Sequence, residues 1–126
     1  MMTLDDFKAA RKTLDGVLHR TDLMYSPFFS KASGCHVYIK PENMQVTGAY
    51  KIRGAYFKCS TLSEEEKARG LVTASAGNHA QGVAYAAQAA GVSATIVMPT
   101  TTPLVKVNNT KDYGAKVVLH GETFDD

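Results

Sequence analysis

The chain has 126 residues, 44% of them apolar and 21% charged, with a formal charge of +2. One domain at most fits that length, with room for a modest core. So small a charge supplies no field for nucleic acid or an anionic membrane, and no apolar run approaches the ~18 residues of a membrane span. Met1 to Phe7 has no basic stretch leading into an apolar one and does not read as a signal peptide. Cys35 and Cys59 form no CxxC pair, and no His or Cys spacing suggests a metal site. The composition fits a cytoplasmic α/β chain without nucleic-acid or membrane partners.

Along the chain, residues 3–14 predict an amphipathic helix. Thr3 and Asp6 are spaced as a capping box, and Gly16 stands as the stop. Residues 22–30 read as loop around Pro27, and 35–40 as a strand closed by Pro41. A helix is expected over 47–59. Ser63 to Glu66 opens another by a capping box, and Gly70 ends it. A regular alternation follows: strand 71–74, turn 75–78, Ala-rich helix 79–90 ended by Gly91, and strand 92–98. Then come an N-cap at Thr102 with Pro103 first in the helix, a helix to about Tyr113, and strand 115–119. This rhythm argues for a parallel sheet covered by helices. Residues 121–126 read as the opening of a helix capped by Thr123, cut before the helix exists.

Two segments can carry chemistry. Ser75-Ala76-Gly77-Asn78-His79-Ala80-Gln81-Gly82 joins a strand to a helix, where free N–H groups and the positive dipole end favour an anion. It is neither a Walker A loop nor a GxGxxG fingerprint, and an ordinary Gly/Asn turn is the alternative. The second segment is Lys40 to Ala55. Lys51, between Tyr50 and Ile52, is a candidate for partial burial, which would favour the neutral amine that Schiff-base chemistry needs. An exposed helix lysine is the alternative. Arg53 carries little weight, because residues two apart on a helix do not face each other. His19, His36 and His120 are isolated. His79 stands out only by its place at a helix start, where a neutral imidazole is favoured. Cys59 is expected half-buried, and Met24, Met44 and Met98 are expected in packing.

Lys40-Pro-Glu-Asn-Met-Gln-Val-Thr-Gly-Ala-Tyr-Lys51-Ile-Arg-Gly-Ala55, followed by Thr73-Ala-Ser-Ala-Gly-Asn-His-Ala-Gln-Gly82, resembles the threonine dehydratase (threonine ammonia-lyase) family of fold type II pyridoxal-phosphate enzymes. His19-Arg20-Thr21 and Ser26-Pro27 are similar to that family's N-terminal segment. The resemblance implies a three-layer, Rossmann-like parallel-sheet small domain, incomplete here, over residues 47–126. Residues 1–46 would form a segment packing on a large domain outside these residues. It implies pyridoxal 5'-phosphate as cofactor. Lys51 would bind the cofactor covalently and move the Cα proton. Asn78 would bond the cofactor's 3-hydroxyl oxygen, and the loop of Ser75, Ala76, Gly77, Asn78 and His79 would receive the substrate carboxylate. The implied reaction is β-elimination on L-threonine, giving 2-oxobutanoate and ammonia, and on L-serine, giving pyruvate, in a homo-oligomer.

Two departures from the family pattern stand out. Ala49-Tyr50 replaces the frequent Ser-Phe before the lysine. Ala76 stands where the related serine racemases carry a serine acting as second base, which disfavours racemisation. The family's glycine-rich phosphate cradle and its partner for the pyridine nitrogen are absent from these residues, so the chain reads as roughly the first third of a catalytic unit. A catalytically incomplete piece or interaction module, and a serine racemase or β-replacement enzyme, are the alternatives.

Overall fold

The computed structural model describes every residue but 124. Helix α1 (Leu4–Leu14) begins at a complete capping box, in which the Thr3 side chain accepts from the Asp6 N–H and the Asp6 carboxylate accepts from the Thr3 N–H. It buries none of its residues, and Leu4 and Phe7 stay exposed. Residues 22–30, expected as loop, form two short elements instead. Strand β1 (Met24–Tyr25) pairs antiparallel with β2 (Tyr38–Ile39). Helix α2 (Pro27–Ser33) starts at Pro27, with Ser26 as N-cap accepting from the Phe29 N–H. The proline that suggests a loop is the residue preset for a first helical position. The strand expected over 35–40 shrinks to its two paired residues.

Helix α3 runs Lys51–Ser60, shorter at its start than the expected 47–59. Gly48 lies in the left-handed region at φ +68° and its N–H donates to the Gln45 carbonyl, so the chain turns there before it can enter a helix. Helix α4 (Glu64–Arg69) has the expected capping box at Ser63. It ends at Gly70, whose φ is +80° and where an added Cβ would collide with the Ser93 side chain.

From here the expected alternation is borne out. Strand β3 (Leu71–Ala74), helix α5 (Asn78–Ala90), strand β4 (Ala94–Met98), helix α6 (Leu104–Asp112) and strand β5 (Lys116–Leu119) follow in order. The three strands form a parallel sheet in the order β3-β4-β5, with Leu71 opposite Ala94 and Thr95 opposite Lys116. Helices α5 and α6 pack on one another and on the sheet, and α3 packs along α5. On the opposite sheet face Val72 is open to solvent.

The core is built of small side chains. Ala80, Ala84 and Ala87 on α5 meet Ala94, Ile96 and Met98 on β4, with Val107 and Ala115 closing the far end. Alanines at helical spacing let α5 approach the sheet closely, and close packing rather than bulk sets the spacing of the layers. The Tyr85 and Tyr113 rings seal the edge edge-on, with centroids 5.5 Å apart.

Several local expectations are corrected. Thr102 does not cap α6: Pro103 is the N-cap residue, and the buried Thr102 hydroxyl has no hydrogen-bond partner among the described residues. Cys59 is fully rather than half buried, its Sγ lies 3.7 Å from the Ala86 carbonyl, and burial pushes its thiol pKa up. Of the three methionines expected in packing, only Met98 is in the core, while Met24 and Met44 are exposed. The reading of 121–126 as a helix start is half answered. Asp126 accepts from the N–H groups of Glu122 and Thr123, as the third residue of a capping box does. Residue 124 lies outside the described residues.

Candidate functional site

Strand β3 ends at Ala74, and the Ser75 N–H still donates to the Val97 carbonyl at 3.0 Å. The chain then leaves the sheet through Ala76 and Gly77 into α5. Gly77 is the N-cap residue, with no side-chain cap, and the first helical bond joins the Gln81 N–H to the Gly77 carbonyl at 3.4 Å. The amide groups at the start of α5 therefore have no partner within the helix, and they point from the positive end of the helix dipole. The Gly77 N–H is drawn weakly to the Ser75 Oγ at 3.4 Å. Ser75, Ala76 and Gly77 are half-buried, whereas Asn78 and His79 are exposed at the rim. The loop lies at the carboxyl end of a parallel strand, where open α/β sheets bind ligands.

Lys51 is the first residue of α3 and is exposed, so its expected partial burial is corrected. The reason is helical geometry: Ile52, one residue on, takes the interior position at 0% exposure and turns Lys51 outward. Its Nζ lies 5.3 Å from the centroid of the neighbouring Tyr50 ring. Of the two sides of the argument for this lysine, the aromatic neighbour is present and the desolvation is not supplied by these residues.

Gly82 joins the two parts. It is buried, and an added Cβ there would stand 3.3 Å from the Lys51 carbonyl carbon and 3.3 Å from the Ile52 nitrogen. The backbone of α5 thus touches the peptide that carries Lys51, one helical turn after Asn78. Four residues of helix rise only about 6 Å, which fixes the anion loop close to the amine-bearing residue. Residues from distant parts of the sequence, Lys51 and the loop 75–79, are brought to one place by a packing glycine.

What sequence reasoning passed over is Arg53. It does not face Lys51. It turns the other way and grips Glu42, with Nε to Oε2 at 2.8 Å and Nη2 to Oε1 at 2.8 Å. The Arg53 guanidinium beside it, bonded to both oxygens, lowers the Glu42 pKa to about 2, with the Thr21 hydroxyl adding to the effect. The signal that could have found the pair is the acid in the turn before α3 and the base in its first turn, both inside the segment already singled out. A prominent groove lies elsewhere. It encloses about 890 Å³ between α1, residues 18–23 and α3, lined by Phe7, Leu14, Leu18, Leu23 and Phe57, and it includes neither Lys51 nor the loop.

The fold is that of an α/β protein with a parallel sheet, in which the helix bearing an exposed amine packs along the helix that follows an uncapped strand-to-helix turn. Residues 14–126 match the family model described as pyridoxal-phosphate dependent enzyme, and the chain belongs to that family. It is 56% identical to the L-threonine ammonia-lyase of Thermotoga maritima over 126 residues, covering all of this chain and 31% of that protein. Among solved structures, maize serine racemase superposes with TM-score 0.91 at 36% identity, over 98% of this chain and 37% of that one. The processed threonine deaminase isoform 2 of Solanum lycopersicum does so with TM-score 0.83 at 43% identity, over 98% and 36%. The chain thus spans about a third of the length of the relatives it matches. The expected α/β fold and the expected family are both borne out.

The residues present fit the cofactor of that family. A primary amine, an amide side chain at Asn78 and backbone N–H groups without a helical partner are the kinds of group that a covalent anchor, a hydrogen bond to a ring oxygen and an anion seat would need.

Proposed function

We propose that this chain carries the amine and the carboxylate seat of a pyridoxal-phosphate-dependent lyase that converts L-threonine to 2-oxobutanoate and ammonia, and L-serine to pyruvate. The observation that carries the reading is the contact of Gly82 with the Lys51–Ile52 peptide, because it sets the only amine at the start of α3 beside the loop 75–79. The choice of threonine is supported by the relative at 56% identity across the whole chain.

In this reading the loop of Ser75, Ala76, Gly77, Asn78 and His79 receives the substrate carboxylate on backbone N–H groups, and the dipole of α5 adds to their pull. Asn78 holds the cofactor ring by its 3-hydroxyl oxygen. Bound pyridoxal phosphate supplies an electron sink for the charge left when the Cα–H bond breaks. Lys51 would hold the cofactor, and its amine, once free, would take the Cα proton, while the β-hydroxyl would depart as hydroxide and take up a proton to become water. The dehydrated product hydrolyses to the keto acid and ammonia. Lys51 needs a cover that lowers its charge. We place that cover, the phosphate cradle and the pyridine-nitrogen partner in the two-thirds of the relatives' length that these residues do not match. Residues 1–46 then pack on a large domain and 47–126 form the small one. Assembly as a homo-oligomer in the cytoplasm completes the proposal.

Serine racemase is the second reading, favoured by the TM-score of 0.91. Ala76 weighs against it, since a methyl group cannot deliver a proton to the opposite face of Cα. The test is made on the protein at its natural length. Keto acid should form from L-threonine, and Lys51→Ala should lower the rate by about 10²–10⁴-fold. D-serine formed from L-serine without keto acid would establish the racemase, and turnover unchanged in Lys51→Ala would overturn the assignment of the amine. A protein that neither binds the cofactor nor turns over threonine would be the incomplete or interacting chain.

A further inference from the structure

The Arg53 fork is one part of a larger polar cluster. The Thr21 hydroxyl donates to Glu42 Oε1 at 2.5 Å, and Arg53 Nη2 reaches the Thr21 Oγ1 at 3.4 Å. The Lys40 ammonium donates to the Thr21 carbonyl. Next to it, the Gln45 amide closes a two-bond clasp on His19, accepting from its N–H and donating to its carbonyl at 2.9 Å each. Residues 19–21 and 42–45 are therefore stitched together, and Arg53 ties the stitched pair to α3.

Helix α3 needs that tie. Its N-cap residue Tyr50 makes no side-chain capping bond, and the opening turn is held by a bond from the Arg53 N–H to the Tyr50 carbonyl at 3.0 Å. An uncapped helix start frays, and here it bears the amine. Three consecutive residues divide the work of fixing it. Ile52 is buried in the interior. Lys51 is exposed, and its peptide abuts Gly82 of α5. Arg53, about 200° around the helix from Lys51, anchors the turn from behind. The guanidinium cannot act on Lys51 as a free charge, because both carboxylate oxygens of Glu42 neutralise it at 2.8 Å.

We propose that Arg53 is a positioning residue for the Lys51 amine, acting through its fork to Glu42 and Thr21. This rests on the role given to Lys51 above. The test uses the protein at its natural length, stripped of cofactor and mixed with pyridoxal 5'-phosphate across a range of pH. The amine and aldehyde condense with loss of water, borohydride reduces the C=N bond to a stable C–N bond, and peptide mass identifies which lysine is labelled. Arg53→Lys keeps the charge and loses the fork. It should slow labelling of Lys51 about tenfold at every pH, with the pH midpoint unchanged and the other lysines labelled as before. Glu42→Gln should slow it similarly, and the exchange Arg53→Glu with Glu42→Arg should recover part of what either change alone loses. If Arg53→Lys does not fold, as judged by circular dichroism, Thr21→Val removes only the hydroxyl's bonds to Glu42 and Arg53, leaves the Arg53–Glu42 fork, and should still slow labelling two- to threefold. Labelling of Lys51 at the parent rate in these folded variants, or a shifted pH midpoint with the plateau rate kept, overturns the proposal. A parent protein that labels other lysines and not Lys51 overturns the role of Lys51 itself, which is a different result.

Discussion

The pKa of Glu42 is held at about 2 against an ordinary 4.5, chiefly by the two bonds from Arg53. The folded chain therefore binds fewer protons at this site than the unfolded chain between those values. The stabilisation is complete above the ordinary value, shrinks as pH falls, and is gone below about 2. Arg53 keeps 36% of its side chain in solvent, and screening reduces the net worth of the pair to about 1–2 kcal/mol. Glu42→Gln should lower unfolding free energy by that amount at pH 7 and by almost nothing near pH 2, as read from urea transitions at the two values. A loss of equal size at both would mean that packing, not charge, holds the residue. Lys51 and Asn78 illustrate the other side of the residue scale, since both are exposed and their chemistry depends on what is brought to them.

The helices α3 and α5 meet where neither can give way. At Gly82 the neighbours that a Cβ would press, 3.3–3.4 Å away, are all backbone atoms of Lys51 and Ile52. Gly82→Ala would push the start of α3 outward by a few tenths of an ångström or strain both helices, costing about 1–3 kcal/mol. The same shift moves the amine relative to the loop 75–79, so activity should fall by more than the folded fraction does. Thermal unfolding followed beside keto-acid formation checks this, and a variant that loses stability with full activity per folded molecule would separate packing from placement. Sequence reasoning sees Gly82 only as a letter in a motif. Its role follows from which residues α5 lies against, and periodicity carries no information on that.

The chain as a whole exposes 8616 Å². A compact monomer of 13.6 kDa should expose about 6,600 Å², some 2,000 Å² less, a difference the size of a protein–protein interface. The excess includes large apolar side chains, with Leu4, Phe7, Leu23 and Phe28 each more than 60% exposed. Residues 1–126 made by themselves should therefore associate or bind a hydrophobic dye, and Leu4→Ser with Phe7→Ser should reduce both, as measured by light scattering and dye fluorescence. A monodisperse chain without dye binding would show that this surface is content in water.

The β3-to-β5 half was legible because its signals are local. Gly91 and Gly114 follow their helices, Ser63 starts one by its own hydroxyl, and β-branched runs such as Val92 to Val97 are bounded by turn residues. The N-terminal half was read less well, because β1 and β2 are two residues each and exist only through pairing with one another. The sequence by itself determined the family and the cofactor class, and it singled out the candidate site residues, since Lys51 and the loop 75–79 lie in contiguous motifs. Only the tertiary structure decided that Lys51 is exposed rather than desolvated, that Gly82 brings the two motifs into contact, and that Arg53 grips Glu42. Those outcomes depend on packing between segments, whose energies are set by distances across space that no spacing along the chain encodes.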